Sequence, residues 1–152
     1  MGAWGTGIFE NDEAMDWLAG WEEAIEGEGT ADEPGRIAFV IGALAVVVEH
    51  KGYLDIDAGE CALAAAEAVA AAGGKPGAGL AGGEEQSLKE LAAWAKGPGA
   101  KILNQPEVRA LAVEAIDRSL AGESELTELW AESADADVWR AGVSDLRTRL
   151  GS

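Results

Sequence analysis

The chain has few of the side chains that build disulfides and transition-metal centres. Among its 152 residues there is one cysteine, Cys61, and one histidine, His50. A lone cysteine forms no intrachain disulfide, and a zinc site built from Cys and His ligands is excluded. Any metal ion would have to be held by carboxylates. A catalytic Cys61–His50 pair stays open on sequence grounds, whereas the simpler interpretation makes Cys61 a small buried apolar residue.

Basic residues are also scarce. The chain has 11 Lys and Arg against 28 Asp and Glu, which gives a net charge of −17 at pH 7. A chain of this charge repels nucleic acid phosphates and anionic membrane surfaces, so we expect neither as a partner. The same charge would attract a basic protein or a cation, or it would serve solubility alone.

Long hydrophobic runs and a basic leader are absent. The longest apolar run, at residues 37–48, is shorter than the roughly 20 residues that span a bilayer. Residues 1–35 contain no Lys or Arg, whereas a secretory signal opens with a basic segment. We therefore expect a cytoplasmic protein that folds as one helical domain over residues 1–152.

Apolar residues recur at helical spacing along most of the chain. In the first predicted helix they stand at Ala14, Trp17, Leu18 and Trp21. Residues 73–83 are rich in glycine and predict a flexible loop. The pattern predicts an all-α fold, a compact bundle of about seven helices. They begin near Asp12 and Pro34, cover residues 58–72, 84–96 and 106–121, and begin again near Ser124 and near Asp135 or Asp137.

The helix predicted at residues 34–50 is apolar on nearly every face, which predicts that it lies at the centre of the bundle. Its valines at positions 46–48 would also suit a buried strand. The predicted core consists of Ile37, Val40, Ile41, Leu44, Val48, Trp17, Trp21, Leu111, Ile116 and Leu146.

Residues 2–9 form a Gly-rich N-terminal arm that carries Trp4, Ile8 and Phe9. Exposure of all three large side chains would reduce solubility, so we predict that the arm is docked on the first helix or its neighbour. A docked arm would fix the start of that helix and thereby position Asp12 and Asp16.

The first 35 residues hold ten carboxylates and no basic side chain. The first hypothesis is a non-enzymatic interaction protein, regulatory or immunity-like, that presents an acidic surface to a basic protein partner. No set of nucleophile, base and orienting group is evident that would favour an enzyme. The candidate partner-binding residues are Trp4, Glu10, Asp12 and Asp16.

The alternative hypothesis is a small metal-dependent hydrolase. Asp12 and Asp16 lie one helical turn apart, and their oxygen ligands suit a divalent cation such as Mg²⁺, Mn²⁺ or Ca²⁺. Glu10 or Glu13 would contribute next to them. Further ligands would have to come from elsewhere in the chain, for example from Glu49 or Glu114.

The opening segment MGAWGTGIFENDEAMDW resembles the signature opening of a bacterial family known as domain of unknown function 4259. The Ala-rich helix after Tyr53, Leu54 and Asp55 resembles the same family, as do residues 124–133 with the following stretch 139–150. The resemblance implies a small, helical, cytoplasmic bacterial protein without an established activity. It transfers no catalytic residue.

Overall fold

A computed structural model describes residues 5–24 and 33–151 of the chain. These residues contain helices and no strand, which confirms the all-α prediction. The helices are α1 (Asp12–Glu23), α2 (Glu33–Glu49), α3 (Ile56–Ala72), α4 (Ala78–Ala81), α5 (Gln86–Lys96), α6 (Ala100–Leu103), α7 (Pro106–Ser119), α8 (Glu125–Ala131) and α9 (Ala136–Gly151).

Local sequence signals set several of the helix starts. The Asn11 side chain accepts a hydrogen bond from the Ala14 amide at 2.7 Å and caps α1. Pro106 occupies the first turn of α7, where its missing N–H is not needed. Ser124 caps α8 by accepting from the Thr127 amide at 3.4 Å. These three starts agree with the sequence predictions.

The Ala-rich helix α3 lies at the centre of the bundle. All of its residues from Ala62 to Ala72 are buried, and α1, α2, α5, α6, α7, α8 and α9 pack against it. Alanine suits this position because its small side chain lets neighbouring helices approach closely from every side. The small-residue helix α3, which at 17 residues is as long as α2, therefore takes the place that the sequence assigned to the most apolar helix.

The prediction that residues 34–50 form the central helix was wrong. Helix α2 buries Val40, Leu44 and Val47, while Val46 on its outer face is 58% exposed. Ile37, Ile41 and Val48, and Leu111 in α7, are only partly buried, although they were predicted to be in the core. Hydropathy alone misassigned α2, because an apolar helix can leave one face uncovered.

The rest of the predicted core is confirmed: Trp17, Trp21, Val40, Leu44, Ile116 and Leu146 are buried. Residues 46–48 are helical, so the strand alternative for them is wrong. The bundle has more helices than predicted because α4 forms inside the glycine-rich loop 73–83 and α6 forms between α5 and α7. No helix in the described ranges has both the length and the apolar character needed to cross a bilayer.

Candidate interaction surface

The N-terminal loop folds around the side chain of Glu10. The Glu10 amide donates to the Gly7 carbonyl at 3.1 Å, and the Gly7 amide donates to Glu10 Oε1 at 2.9 Å. A Cβ atom at either Gly5 or Gly7 would collide with the Glu10 carboxylate. The two glycines thus leave room for this carboxylate, and Glu10 has a structural role in addition to the predicted partner-binding one.

The described part of the N-terminal arm is docked on the bundle, as predicted. Phe9 is only 5% exposed and belongs to the hydrophobic core, and Ile8 packs against that core. Asn11 joins the loop to α1, because its Nδ2 donates to the Ile8 carbonyl at 3.1 Å while its Oδ1 caps the helix. Trp4 lies outside the described residues, so its predicted packing stays a prediction.

The exposed face of α1 is acidic. Asp12 and Asp16 are exposed on this helix, and Glu10 is exposed just before it. Within the described part of the chain, ion pairs join Arg147 to Asp117, and Arg149 to Glu67 and Asp145. None of these pairs involves a carboxylate of α1, so the predicted acidic face carries its charge at the surface without a paired cation among the described residues.

A second layer of carboxylates lies where α1 meets α3. Glu60 in α3 is 5% exposed, and its burial, together with the neighbouring Glu13 carboxylate, raises its pKa to about 8. The adjacent Cys61 thiol has its pKa raised to about 11 by burial and by nearby acidic groups, among them Asp57, Glu13 and Asp16. We refer to Glu13, Asp16, Asp57 and Glu60 as the acidic cluster. The sequence does not single out Glu60, which stands between Gly59 and Cys61 at the start of the Ala-rich helix.

Cys61 and His50 do not form a catalytic pair. The Cys61 thiol donates to the Glu13 carbonyl at 3.8 Å, while His50 Nε2 bonds to the Tyr53 carbonyl at 2.7 Å. No hydrogen bond joins the two side chains in the described structure. A thiol with a raised pKa is also a poor nucleophile near neutral pH, because little of it is ionised.

The carboxylates proposed for a metal ion are not gathered into a coordination site. Among the residues that the structure describes, no three His, Cys, Asp or Glu side chains are placed to hold a metal ion together. Asp12 and Asp16 are exposed on α1, and Glu49 and Glu114 are exposed on α2 and α7. The hydrolase hypothesis therefore finds no third ligand in this part of the chain.

An apolar groove lies beside the acidic face, between α1 and α2. Trp17 and Phe39 pack with ring centroids 5.5 Å apart, and Gly20 admits the Phe39 ring, since a Cβ there would lie 2.7 Å from its Cζ. The groove has a volume of about 360 Å³ and is open to solvent along α2. We call it the α1–α2 groove; its described lining is Trp17, Ala38, Phe39, Gly42, Ala43 and Val46. The sequence does not predict this groove, because the apolar pattern of α2 indicates a central helix with no open face.

Arg36 is the sole basic residue in α1 and α2. Its guanidinium lies over the Trp21 ring, 3.9 Å from the centroid, and donates to the Glu22 carbonyl at 3.3 Å. Desolvation by burial lowers the pKa of Arg36, against the opposing effect of Glu90 and Glu22. This cation is therefore occupied inside the fold and leaves the acidic cluster uncompensated.

The chain was compared with protein-family models, curated proteins and solved structures. A family model described as Domain of unknown function (DUF4259) matches residues 2–142, which is most of the chain. No curated protein and no solved structure gives a significant match.

Proposed function

Given that the chain belongs to the DUF4259 family, we propose that it is a non-enzymatic cytoplasmic interaction module that binds a basic protein through its N-terminal acidic surface. The surface consists of Glu10, Asp12 and Asp16 together with the other three members of the acidic cluster. A regulatory or immunity-like role, in which the module occupies a basic surface of its partner, is the form of this function that we favour.

One observation carries the proposal. Two adjacent helices, α1 and α3, bring Glu13, Asp16, Asp57 and Glu60 close enough to act on a single thiol, and no Lys or Arg of the described chain pairs with them. Glu60 is mostly protonated near pH 7, so the like charge of the cluster comes from its other three carboxylates. Concentrated like charge disfavours the folded state unless a cation balances it. A basic partner would supply that balance and would associate quickly because of long-range attraction.

The chemistry of the surface supports binding more than catalysis. The one thiol has a raised pKa, the one imidazole bonds to a backbone carbonyl, and the exposed carboxylates lack a third metal ligand among the described residues. No observation in the described residues favours the hydrolase alternative.

The test uses paired charge removal. A variant with Asp12→Asn and Asp16→Asn removes two exposed charges from α1. The matched control, Asp135→Asn with Asp137→Asn, removes two exposed charges from the start of α9. Both variants and the wild type are used to capture proteins from a lysate of the native host, at about 50 and 300 mM salt.

The expected result is a basic protein that the wild type and the α9 control retain at low salt and that the α1 variant loses. Reconstitution with the purified partner should then give an affinity at least about tenfold weaker for the α1 variant, as expected when two charges facing a partner are removed. Equal capture by both variants, or the absence of any basic protein at either salt concentration, would refute the proposal.

A further inference from the structure

We propose that the α1–α2 groove is the docking site for a basic amphipathic helix of the partner. This inference rests on the proposed function. It adds which kind of segment of the basic partner would bind beside the acidic surface. The helix would place its apolar side chains in the groove and its Lys or Arg side chains over the neighbouring carboxylates.

The shape of the groove fits a helix of a few turns. The lining residues of α2 run from Ala38 to Val46, which corresponds to about 12 Å of helix at 1.5 Å per residue. Alanine and glycine along its middle let an incoming backbone approach closely, and Phe39 and Val46, which share one stripe of α2, offer apolar contact toward its two ends. Binding of an amphipathic helix in such a groove is a common mode of peptide recognition.

The charge around the groove selects the occupant. On α1, Asp16 directly precedes Trp17, and Glu13 lies one turn before it on the same face. On α2, Glu49 is exposed one turn after Val46. On both helices, exposed carboxylates therefore lie within one turn of residues that line the groove, and a helix with basic residues beside its apolar stripe complements them.

The same charge disfavours a second copy of the chain as the occupant. Two copies joined through this groove would bring their α1 carboxylates together, and each copy carries a net charge of −17. Like charges placed across an interface cost free energy and slow association. A basic partner meets no such penalty.

The experiment measures binding of synthetic helical peptides by fluorescence anisotropy. The probe is an 18-residue amphipathic peptide of Leu and Lys. One comparison peptide has the same composition in a scrambled order without an apolar face, and a second has Glu in place of every Lys. The full-length protein is used throughout.

Two substitutions in α2 alter the groove, and each has a matched control in α9. Gly42→Leu fills the groove, and Gly142→Leu is its control, because a Cβ at either glycine meets no other atom within 4 Å. Val46→Gln removes apolar contact, and Val138→Gln is its control, since these valines are 58% and 59% exposed. Replacement of a helical glycine at an open position also stabilises the helix, so Gly42→Leu should not lower the melting temperature.

We expect the amphipathic Leu/Lys peptide to bind at least about tenfold more tightly than the scrambled peptide. Gly42→Leu and Val46→Gln should weaken that binding by about tenfold or more, whereas both α9 controls should bind as the wild type does. Weaker binding by a variant that melts no earlier than the wild type separates a blocked groove from a damaged fold.

The other outcomes overturn the inference in distinguishable ways. If the amphipathic and the scrambled Lys peptides bind equally and Gly42→Leu has no effect, the groove is not the binding site. The proposal that the acidic surface binds a basic partner would then still stand. If no Lys peptide binds at low salt, the proposed function fails with it. Equal binding of the Glu peptide would show that charge plays no part. If the wild type is a dimer and Gly42→Leu converts it to a monomer, the occupant of the groove is a second copy of the chain. If removal of residues 1–4 makes the peptide bind more tightly, the occupant is the chain's own N-terminus.

Discussion

Arg149 in α9 forms an ion pair with Glu67 in α3, with 3.1 Å between Nη1 and Oε1. The Glu67 side chain is 3% exposed, and it also accepts a hydrogen bond from the Gly77 amide. Arg149 donates to the Lys75 carbonyl at 2.9 Å. One buried contact therefore joins the last helix, the central helix and the loop that follows the central helix.

Substitution Glu67→Ala should lower the free energy of unfolding by about 2 kcal/mol, or about 6 °C in melting temperature. Arg149 would lose its buried partner and the Gly77 amide would lose its acceptor. We expect less than the full cost of a buried pair because Arg149 is 17% exposed and keeps its ion pair with Asp145. Thermal denaturation followed by circular dichroism measures the change.

The matched control is Asp117→Ala, which breaks the pair with Arg147. Those two side chains are 52% and 49% exposed, so water screens their attraction, and we expect a much smaller change. Equal melting temperatures for the two variants would show that the Glu67 contact contributes no more than a surface pair.

The buried Glu60 should make stability fall as the pH rises. In the folded protein its pKa is raised to about 8, mainly by burial and then by Glu13, from an ordinary value of 4.5. Between these values the folded state holds a proton that the unfolded state has lost, so raising the pH favours unfolding. The stabilisation is fully present below about pH 4.5 and is lost as the pH passes through about 8.

Substitution Glu60→Gln, which cannot ionise, should remove this dependence. The variant should gain melting temperature relative to the wild type as the pH rises from 5 to 9 in a series of thermal melts. Glu49→Gln, at an exposed position on α2, is the control and should follow the wild type. Parallel curves for Glu60→Gln and the wild type would contradict the assignment of a neutral Glu60 at the α1–α3 contact.

Cys61 should react slowly with alkylating agents in the native protein. Its pKa is about 11 against an ordinary value of 9.0, so at pH 8 the folded protein has about one hundredth of the thiolate of the unfolded chain. Iodoacetamide labelling followed by mass spectrometry, with and without denaturant, measures the ratio. A native rate close to the denatured rate would reveal an activated thiol and would reopen the case for an enzyme.

The sequence predicted local features of this fold better than the arrangement of its helices. Asn11 and Ser124 cap their helices and Pro106 occupies the first turn of α7, and these local roles follow from residue type and position. The place of α3 depends on which helices surround it, and a run of alanines indicates a helix without indicating where that helix packs. The hydropathy pattern therefore predicted α2, the most apolar helix, at the centre instead of α3.

The candidate site was predictable to the same extent. The acidic residues Asp12 and Asp16 were found from composition and spacing alone, and they lie on the exposed face of α1. Glu60 and the α1–α2 groove were not found, because both depend on how α1 packs against α3 and α2. In the sequence Glu60 is one of three carboxylates at residues 55–60, with no sign that it becomes buried, and the apolar outer face of α2 is indistinguishable from a buried one.

The N-terminal loop should contribute measurably to stability through Phe9. This ring is 5% exposed and sits in the core, whereas Phe39 packs only partly against it. Substitution Phe9→Ala should lower the free energy of unfolding by about 3 kcal/mol, or about 9 °C in melting temperature, because a large buried side chain leaves a cavity. Phe39→Ala, at the rim of the α1–α2 groove, should cost less.

Deletion of residues 2–9 provides the second measurement. It removes Phe9 and the Gly7 carbonyl and amide that bond to Glu10, and it deprives Asn11 of the Ile8 carbonyl. The truncated chain should therefore melt at least as early as Phe9→Ala. If the deletion leaves the melting temperature unchanged, the docked loop does not stabilise the bundle, and the Asn11 cap alone fixes the start of α1 and the positions of Asp12 and Asp16.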